Sequence, residues 1–312
     1  MSEQGSSRPD VSLRLLEIFD AIMRCETTVE AAEQLGISQP AVSTGLRQLE
    51  AQTGVTLFER LHRRLQPTAE AVALYEDIKP VFGLVRGFAT RARDIRQGIS
   101  GRLRIMSTPP LGHTVAPLAM RRFLKERPEV SFAYDVRRLE HVIEAVQGGA
   151  ADLGLALALE RHPAVNVEIL ARTHMVALLP AETEVSGTTV GAHSLSGSDF
   201  IGLEMESRMG TLVRNAFDRD SAPYHPRVEV RYCSTAAVLV AAGIGAAVVD
   251  PYTAAFQNGS AVIERSFLPP IEVTVAMLTR KGVPRSRLLH AFISEMKKAL
   301  VDFDATGLQR KT

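Results

Sequence analysis

The side chains best suited to chemistry lie between residues 39 and 48, on one side of a short predicted helix. They are hydrogen-bonding groups of middle length, and one of them carries a positive charge. Such groups on the open face of a helix suit hydrogen bonding to base edges in the major groove of DNA. A helical hairpin with a hydrated polar face fits these residues equally well. The candidate groups are Gln39, Ser43, Thr44, Arg47 and Gln48.

The surrounding stretch, TTVEAAEQLGISQPAVSTGLRQLEA, predicts two short helices joined by one sharp turn. Thr27 and Glu30 form a capping box at the start of the first helix, and Gly36 suits a left-handed position at its end. Ser38 is expected to cap the second helix, and Pro40 is tolerated in its first turn, where N–H groups lack helical partners. The second helix has one apolar face, formed by Val42, Leu46 and Leu49.

A basic turn follows the helix pair. Gly54 ends the second helix, VTLFER predicts a short strand, and LHRRLQPT predicts a turn and a second strand. The turn carries Arg60, Arg63 and Arg64, which would contact phosphate or the minor groove, although a hydrated turn is the alternative for each. A helix pair followed by a basic wing indicates DNA binding more specifically than either part alone.

The charge of this segment limits how it would bind DNA. Residues 1–66 carry seven arginines and nine acidic side chains, a net charge of −2. Four of the arginines lie on the second helix or on the wing. Affinity for DNA of any sequence should therefore be modest, and specificity should depend on a few contacts and on pairing of two copies.

Composition bounds the class of protein. The chain has 312 residues, 46% hydrophobic and 23% charged, with a formal net charge of +1, which fits a globular protein of two or three domains. Cys25 and Cys233 are far apart and lack metal-ligand spacing, so we expect no disulfide, no metal site and a reducing compartment. The polar N-terminus and the lack of a long apolar run predict a cytoplasmic protein without a membrane segment.

A long helix is predicted after the wing, from the cap at Thr68 to about Arg96. Its apolar positions alternate at spacings of four and three, a heptad seam typical of self-association, although Pro80 interrupts it. The seam consists of Leu74, Ile78, Val81, Val85, Phe88, Ala92 and Ile95. QGISG at residues 97–101 is the expected hinge.

From residue 102 the chain alternates strands and helices, which predicts mostly parallel sheets covered by helices on both faces. Ligands bind such sheets beyond the carboxyl ends of the strands, where helix N-termini point. Hydroxyls and one arginine at three such places suit a carboxylate ligand, and two acidic residues could hold an amino group. The alternatives are ordinary helix caps for the hydroxyls and a surface ion pair for the arginine. The candidates are Ser107, Thr108, Glu204, Ser207, Arg208, Ser234, Thr235 and Asp250.

The chain resembles the LysR-type transcriptional regulators along essentially its full length, most closely in AAEQLGISQPAVSTGLRQLEAQTGVTLFER and the following PTAEA. The resemblance implies a multi-domain α and α/β protein. It places a winged helix-turn-helix at residues 10–67 and a linker and dimerisation helix at 68–97. The periplasmic-binding-protein-like effector domain at 101–312 would have one subdomain from 101–170 with 271–312, and a second from 171–268.

The resemblance also implies partners and contacts. Promoter DNA, a dimer of dimers, and RNA polymerase if the protein is an activator are the expected partners. GGAADLGLALALERHP, MVALLP and STAAVLVAAGIGAAVVDP resemble the LysR and opine-regulator branch, which implies an amino-acid or opine-like effector. The family usually carries a side chain where this chain has Gly45, which either brings the helix closer to DNA or is simply tolerated. The expected DNA contacts are Thr28, Ser38, Gln39, Pro40, Ser43, Thr44, Arg47, Gln48, Arg60, Arg63 and Arg64.

Two other classes of protein fit less well. Glycine-rich nucleotide fingerprints, HExxH and GxSxG are all missing from the sequence. Ser294 and Lys297 have Ser-x-x-Lys spacing but lie on a predicted amphipathic helix, and His113 near Ser107 lacks a carboxylate to orient it. A solute-binding transport component would have no use for a wing and a heptad helix. We therefore expect no enzyme activity and no cofactor.

Overall fold

The computed structural model describes residues 11–25, 27–61, 64–96, 101–196, 199–256 and 261–309. The chain divides into two units, residues 1–83 and 84–312. The first unit contains three helices, a two-stranded antiparallel hairpin and the start of a long helix that runs on into the second unit. These elements are α1 Leu13–Arg24, α2 Thr28–Leu35, α3 Gln39–Thr53, β1 Phe58–Leu61, β2 Arg64–Pro67 and α4 Ala69–Arg96.

The helix boundaries in the first unit follow from capping. The Ser12 hydroxyl accepts a hydrogen bond from the Leu15 amide, and the Thr27 hydroxyl accepts one from the Glu30 amide. Gly36 has φ 64°, the left-handed C-cap that the sequence predicts. Ser38 occupies the N-cap position of α3 with extended backbone, but its side chain makes no capping hydrogen bond.

An apolar core holds α1, α3 and the hairpin together. The Phe19 ring packs edge-on against Phe58 of the hairpin and Tyr75 of α4, with both centroid distances at 5.9 Å. Tyr75 also donates a hydrogen bond to the buried carboxylate of Asp20, at 3.0 Å. The start of α4 is therefore part of the core of the first unit.

The predicted heptad seam on α4 divides into two parts. Leu74 and Ile78 are partly buried against the core of the first unit, so they already have partners within the chain. Val81, Val85 and Phe88 are exposed, and Phe88 keeps 69% of its surface accessible. The side chain of Ile95 and residues 97–100 lie outside the described residues. The free apolar row is therefore shorter than the sequence predicts.

Gly45 lies at the crossing of α3 with α1. A Cβ at this position would lie 2.4 Å from Cδ1 of Ile18, while Cγ1 and Cγ2 of Ile18 would lie at 3.6 and 3.7 Å. Gly45 is buried on the inner face of α3, away from the exposed polar face. Close packing on α1 therefore explains the glycine, and an approach to DNA does not.

The second unit contains two sheets. The first sheet and its helices are formed by β3 Arg102–Ser107, α5 Pro109–Gly112, α6 Val115–Glu126, β4 Ser131–Val136, α7 Leu139–Gln147, β5 Leu153–Leu157 and β6 Val165–His174. The second sheet and its helices are formed by β7 Val176–Pro180, β8 Thr189–Gly191, α8 Ala192–Ser196, β9 Phe200–Leu203, α9 Arg208–Arg219, β10 Val228–Val230, α10 Cys233–Ala241, β11 Ala246–Val249, α11 Pro251–Phe256 and β12 Val262–Leu268. The chain then returns to the first sheet through β13 Glu272–Arg280 and ends with α12 Arg287–Gln309.

Both sheets are mostly parallel, as predicted, but each contains one antiparallel strand that the sequence did not predict. The first has the order β4-β3-β5-β13-β6, and β13 runs antiparallel to both neighbours. The second has the order β10-β9-β11-β7-β12-β8, and β7 runs antiparallel to both neighbours. The physical reason is that the chain passes between the sheets twice, and a strand that arrives from the other sheet enters in the opposite direction.

The passages between sheets lie after His174 and after Leu268. β6 belongs to the first sheet along its whole length, so the expected subdomain boundary between residues 170 and 171 falls inside this strand. The chain returns to the first sheet at Glu272, where β13 begins. In the described residues, no helix is long and apolar enough to cross a membrane.

The contact between Gly45 and Ile18 generates a prediction about stability. Gly45→Ala raises helix propensity by about 1 kcal/mol but places a Cβ against Cδ1 of Ile18. Ile18→Val removes that Cδ1 atom, so Gly45→Ala should stabilise the first unit more in the Ile18→Val background than in the parent. The free energy of opening, measured by native-state hydrogen exchange of α1 and α3 amides in all four proteins, tests this. Additive effects of the two changes would contradict the packing explanation.

Candidate functional site

The exposed face of α3 carries most of the side chains predicted to contact DNA. Gly36 and the turn after it direct the chain from α2 into α3, and burial of Val42, Leu46 and Leu49 leaves the opposite face open. The exposed members of the predicted set on this face are Ser38, Gln39, Pro40, Thr44, Arg47 and Gln48. Thr28 and Ser43 are partly buried beside them.

Hydrogen bonds hold this face in place. The Gln39 amide group donates to the hydroxyl of Thr28 at 3.1 Å and to that of Ser43 at 3.0 Å, which ties the start of α3 to α2. Arg47 donates to the carbonyl oxygen of Ser43 and to the hydroxyl of Thr44. The side chains of Gln39 and Arg47 are exposed, and an amide oxygen and further guanidinium N–H groups give this face both acceptors and donors.

The hairpin takes the form of the predicted wing, with Phe58 paired to Pro67 and Leu61 to Arg64. Arg63 and the side chains of Arg60 and Arg64 lie outside the described residues. The predicted arginine contacts of the wing therefore remain predictions.

A cavity of about 620 Å³ lies between the two sheets of the second unit. Four of the predicted effector contacts line it: Thr108, Ser207, Arg208 and Ser234. Thr108 follows β3 in the first sheet, whereas the other three begin α9 and α10 beside the second sheet. The carboxyl ends of strands from both sheets therefore meet at this cavity, as expected for α/β folds.

The other four predicted contacts do not line the cavity. The buried hydroxyl of Ser107 donates to the Thr108 carbonyl oxygen at 2.9 Å, and Thr235 is exposed on the first turn of α10. Glu204 pairs with Arg231 at 3.0 Å. Asp250 is fully buried and caps α11, where it accepts hydrogen bonds from the amide and the hydroxyl of Thr253 at 2.8 and 2.7 Å.

Burial raises the pKa of Asp250, despite the hydrogen bonds from Thr253 and from the thiol of Cys233, which act in the opposite direction. Burial likewise raises the pKa of Cys233 well above its ordinary value. Both groups therefore lie in the interior, where α10 and α11 meet.

Sequence reasoning missed most of the charged lining of the cavity. Arg138 follows β4, and Arg231 with Tyr232 follows β10, so the strand-end rule that found Thr108 applies to them equally. His162 lies in the loop after β5 and has no comparable signal in the sequence. The missed polar and charged lining residues are Arg138, Glu140, His162, Glu206, Thr211, Arg231 and Tyr232.

The three arginines of the cavity lining each have an acceptor within the protein. Arg138 donates to the Tyr232 hydroxyl at 3.3 Å, across the cavity from the first sheet to the second. Arg208 donates to the Ala158 carbonyl oxygen at 2.9 Å in the opposite direction. Arg231 pairs with Glu204. Two side-chain hydrogen bonds therefore bridge the walls of the cavity.

Helix N-termini and one buried hydroxyl favour an anion in the cavity. The first residues of α7 and α10 line it, and neither helix has a side-chain N-cap, so their first N–H groups remain available there. Ser207 instead caps α9 by accepting from the Gly210 amide at 2.9 Å. Thr108 is 9% exposed, and its Oγ1 has no hydrogen-bond partner among the described residues.

Part of the cavity lining is apolar. Aliphatic side chains from both sheets cover one side of the cavity and suit the carbon chain of a small ligand. They are Leu139, Ile143, Leu157, Leu159, Met209 and Leu212. The cavity thus combines an apolar wall with charged and hydrogen-bonding groups at its ends.

Comparison with known proteins identifies the family. The model of the bacterial regulatory helix-turn-helix protein, lysR family, matches residues 13–72, and that of the LysR substrate binding domain matches residues 96–301. The chain belongs to the LysR family of transcriptional regulators. The two matched segments contain the α3 face and the cavity, respectively.

LysR-family relatives match over nearly the whole chain. Regulatory protein NocR of Agrobacterium fabrum is 30% identical and covers 94% of this chain and 96% of its own length. The octopine catabolism/uptake operon regulatory protein OccR of Rhizobium meliloti is 30% identical over 82% of this chain and 85% of its own. Full-length CbnR complexed with its target DNA shares the fold, with 22% identity, a TM-score of 0.54 and coverage of 93% and 99%.

The buried carboxyl group of Asp250 predicts a specific pH dependence for this LysR-family protein. Because its folded pKa lies above the ordinary value of about 3.9, the folded state binds the proton more tightly than the unfolded chain. The free energy of unfolding should therefore fall as pH rises from that value through the raised one. Asp250→Asn should remove this contribution to the pH dependence. The melting temperature of the variant, relative to that of the parent protein, should therefore rise as pH rises. Parallel melting profiles would contradict the prediction.

Proposed function

We propose that this LysR-family regulator binds double-stranded promoter DNA through the exposed face of α3 and through the wing. It assembles as a dimer or tetramer through α4 and responds to a small, amino-acid-like carboxylate in the cavity. The protein works in the cytoplasm and, as an activator, would contact RNA polymerase.

The hydrogen-bonded order of the α3 face supports the DNA part of the proposal. Gln39 is held by Thr28 and Ser43, so less side-chain entropy is lost when it meets a base edge. Arg47 supplies a positive charge in a segment whose net charge is negative. Binding should therefore depend strongly on this residue.

Arg47→Ala should weaken binding to an operator selected from random DNA by about 1–3 kcal/mol, because a charged contact to base or phosphate is lost. Titration by fluorescence anisotropy at two salt concentrations measures the loss and the change in salt dependence. Arg14→Ala is the matched control, because Arg14 lies on α1 and pairs with Glu17 at 2.9 Å. An Arg47→Ala isotherm equal to that of the control would remove Arg47 from the contact set.

The exposed apolar row of α4 supports assembly. Val81, Val85 and Phe88 follow heptad spacing, and each has an exposed side chain. Burying this row against the same row of a second copy would remove apolar surface from water.

Phe88→Ser should shift the assembly toward smaller species, because the most exposed ring of the row is lost. Light scattering coupled to size-exclusion chromatography over a range of concentrations measures the shift. Val72→Ser is the control, since Val72 is exposed on α4 but does not lie on the heptad row. Equal masses for the two variants at every concentration would argue against α4 as the interface.

The unpaired hydroxyl of Thr108 is the observation that carries the effector proposal. A buried hydroxyl without a partner costs stability, and such groups are normally satisfied by a protein group, a water or a ligand. It lines the cavity together with the uncapped N-termini of α7 and α10, which favour a carboxylate. OccR is named as a regulator of an octopine catabolism and uptake operon, and octopine belongs to the opine class expected here.

In a thermal-shift panel of amino acids, opines and simple carboxylates, at least one compound should raise the melting temperature of the protein. Thr108→Val should then weaken binding by about 1.5–3 kcal/mol, because a hydrogen bond to a charged ligand is lost, while the unliganded protein keeps its stability. Thr235→Val is the matched control, because Thr235 is exposed outside the cavity. A panel in which no carboxylate stabilises the protein would defeat the effector proposal.

A further inference from the structure

We propose that Asp20 and Tyr75 are positioning residues for operator recognition. The hydrogen bond between them fixes the direction of α4 relative to α1 and α3, and so sets the spacing between half-sites that a pair of copies accepts. The inference rests on the proposed function, since it takes DNA binding through α3 and pairing through α4 as given. Neither residue belongs to the predicted DNA contacts, so both would act through the helices that they hold.

Three consecutive residues of α1 contact the helices on either side of it. Ile18 lies against Gly45 of α3, where the absence of a Cβ allows the close approach. Phe19 packs edge-on against Tyr75 of α4, and Asp20 accepts a hydrogen bond from the Tyr75 hydroxyl at 3.0 Å. α1 therefore holds α3 and α4 together.

α4 is attached to the rest of the first unit at two levels along its axis. At its start, the Thr68 hydroxyl donates to the carbonyl oxygen of Thr56 at 2.9 Å and accepts from the Ala71 amide at 3.1 Å. Tyr75 lies two turns further on, about 10 Å along the helix axis at 1.5 Å per residue. Attachment at Thr68 alone would leave α4 free to change direction about that point, and the contact at Tyr75 removes this freedom.

The hydrogen bond supplies a direction that the neighbouring apolar contacts do not. Leu74 and Ile78 pack against the same core, but the burial of apolar surface is a non-directional interaction. Asp20 is only 7% exposed, and its second carboxylate oxygen pairs with Arg24. A buried charge that loses a donor is costly. Any change in the direction of α4 that withdraws the Tyr75 hydroxyl therefore carries a penalty.

The direction of α4 matters because the exposed apolar row begins at Val81, beyond Tyr75 on the same helix. When two copies pair through this row, the direction of each α4 determines how far apart the two α3 helices lie. One added base pair rotates a half-site by about 34–36° around the duplex, since B-DNA has about 10–10.5 base pairs per turn. A pair with fixed α4 directions should therefore discriminate sharply between half-site spacings.

A series of duplexes with different half-site spacings tests the inference. The operator selected from random DNA supplies the preferred spacing, insertion or deletion of single base pairs supplies shifted ones, and one duplex carries a single half-site. Affinities of the full chain are measured by fluorescence anisotropy. In Tyr75→Phe the ratio of affinities for the preferred and shifted duplexes should fall by about tenfold, the effect of one hydrogen bond to a charged acceptor. The affinity for the single half-site should stay unchanged, which also shows that the first unit is folded.

Two further variants separate this role from a general loss of stability. Asp20→Asn should give an intermediate ratio, because its amide oxygen still accepts from the Tyr75 hydroxyl but carries no charge. Tyr224→Phe is the matched control, because it removes a buried tyrosine hydroxyl that is hydrogen-bonded to Leu203 in the second unit. Its spacing preference should equal that of the parent protein.

An unchanged ratio in Tyr75→Phe would overturn the inference. Equal losses of affinity for the single half-site and for every spaced duplex would also overturn it, because they would indicate damage to the first unit alone. A parent protein that binds DNA without any preference for spacing would overturn the inference and leave DNA binding through α3 standing. A parent protein that binds no DNA would overturn both.

Discussion

The pairing of β13 between β5 and β6 is the constraint on which the second unit depends. The first sheet is complete only after the chain has left it, built the whole second sheet and returned. Two short passages, after His174 and after Leu268, therefore join the halves, with the cavity between them. Two-strand connections of this kind allow two rigid halves to move as bodies around a ligand. The hydrogen bonds from Arg138 to Tyr232 and from Arg208 to Ala158 cross the same gap.

The first unit has a different constraint, because its DNA-binding segment carries a net negative charge and DNA is a polyanion. The net charge of −2 on residues 1–66 gives little long-range attraction to DNA. The polar network of Thr28, Gln39 and Ser43 instead fixes side chains before contact, and Gly45 lets α3 pack closely on α1. A rigid presentation of few groups gives specificity at the cost of affinity, which makes pairing of two copies important.

Local signals in the sequence predicted local structure well. Capping at Thr27 and Gly36 depends on neighbouring residues, and both caps appear in the structure. The direction of β7 and β13 depends on which sheet the chain arrives from, so the alternation of strands and helices predicted mostly parallel sheets but not the one antiparallel strand in each. The heptad rule likewise finds apolar spacing, but it does not show that Leu74 and Ile78 pack on the chain's own core.

The candidate cavity illustrates the same limit at the level of single residues. The strand-end rule selected residues around this cavity, but it did not separate Thr108, which lines the cavity, from Ser107, whose hydroxyl donates to the Thr108 carbonyl oxygen. Ser107 is the last residue of β3 and Thr108 is the N-cap of α5, so a difference of one position decides access to the cavity. Asp250 looked equally suitable in the sequence, and only the packing of α10 and α11 makes it an internal cap.

The position of α7 links the cavity to the long helix within the second unit. α7 begins with cavity-lining residues and ends at Gly148, whose carbonyl oxygen would lie 2.5 Å from a Cβ placed on Gly87 of α4. The atoms that meet there belong to the backbone, with Gly149 also within 2.9 Å, so no side-chain rotation can absorb a displacement. A Cβ at Gly87 could therefore be accommodated only by a displacement of α4 or of the Gly148–Gly149 turn. Close backbone packing at Gly87 thus joins the C-terminal end of the cavity-lining helix α7 to α4.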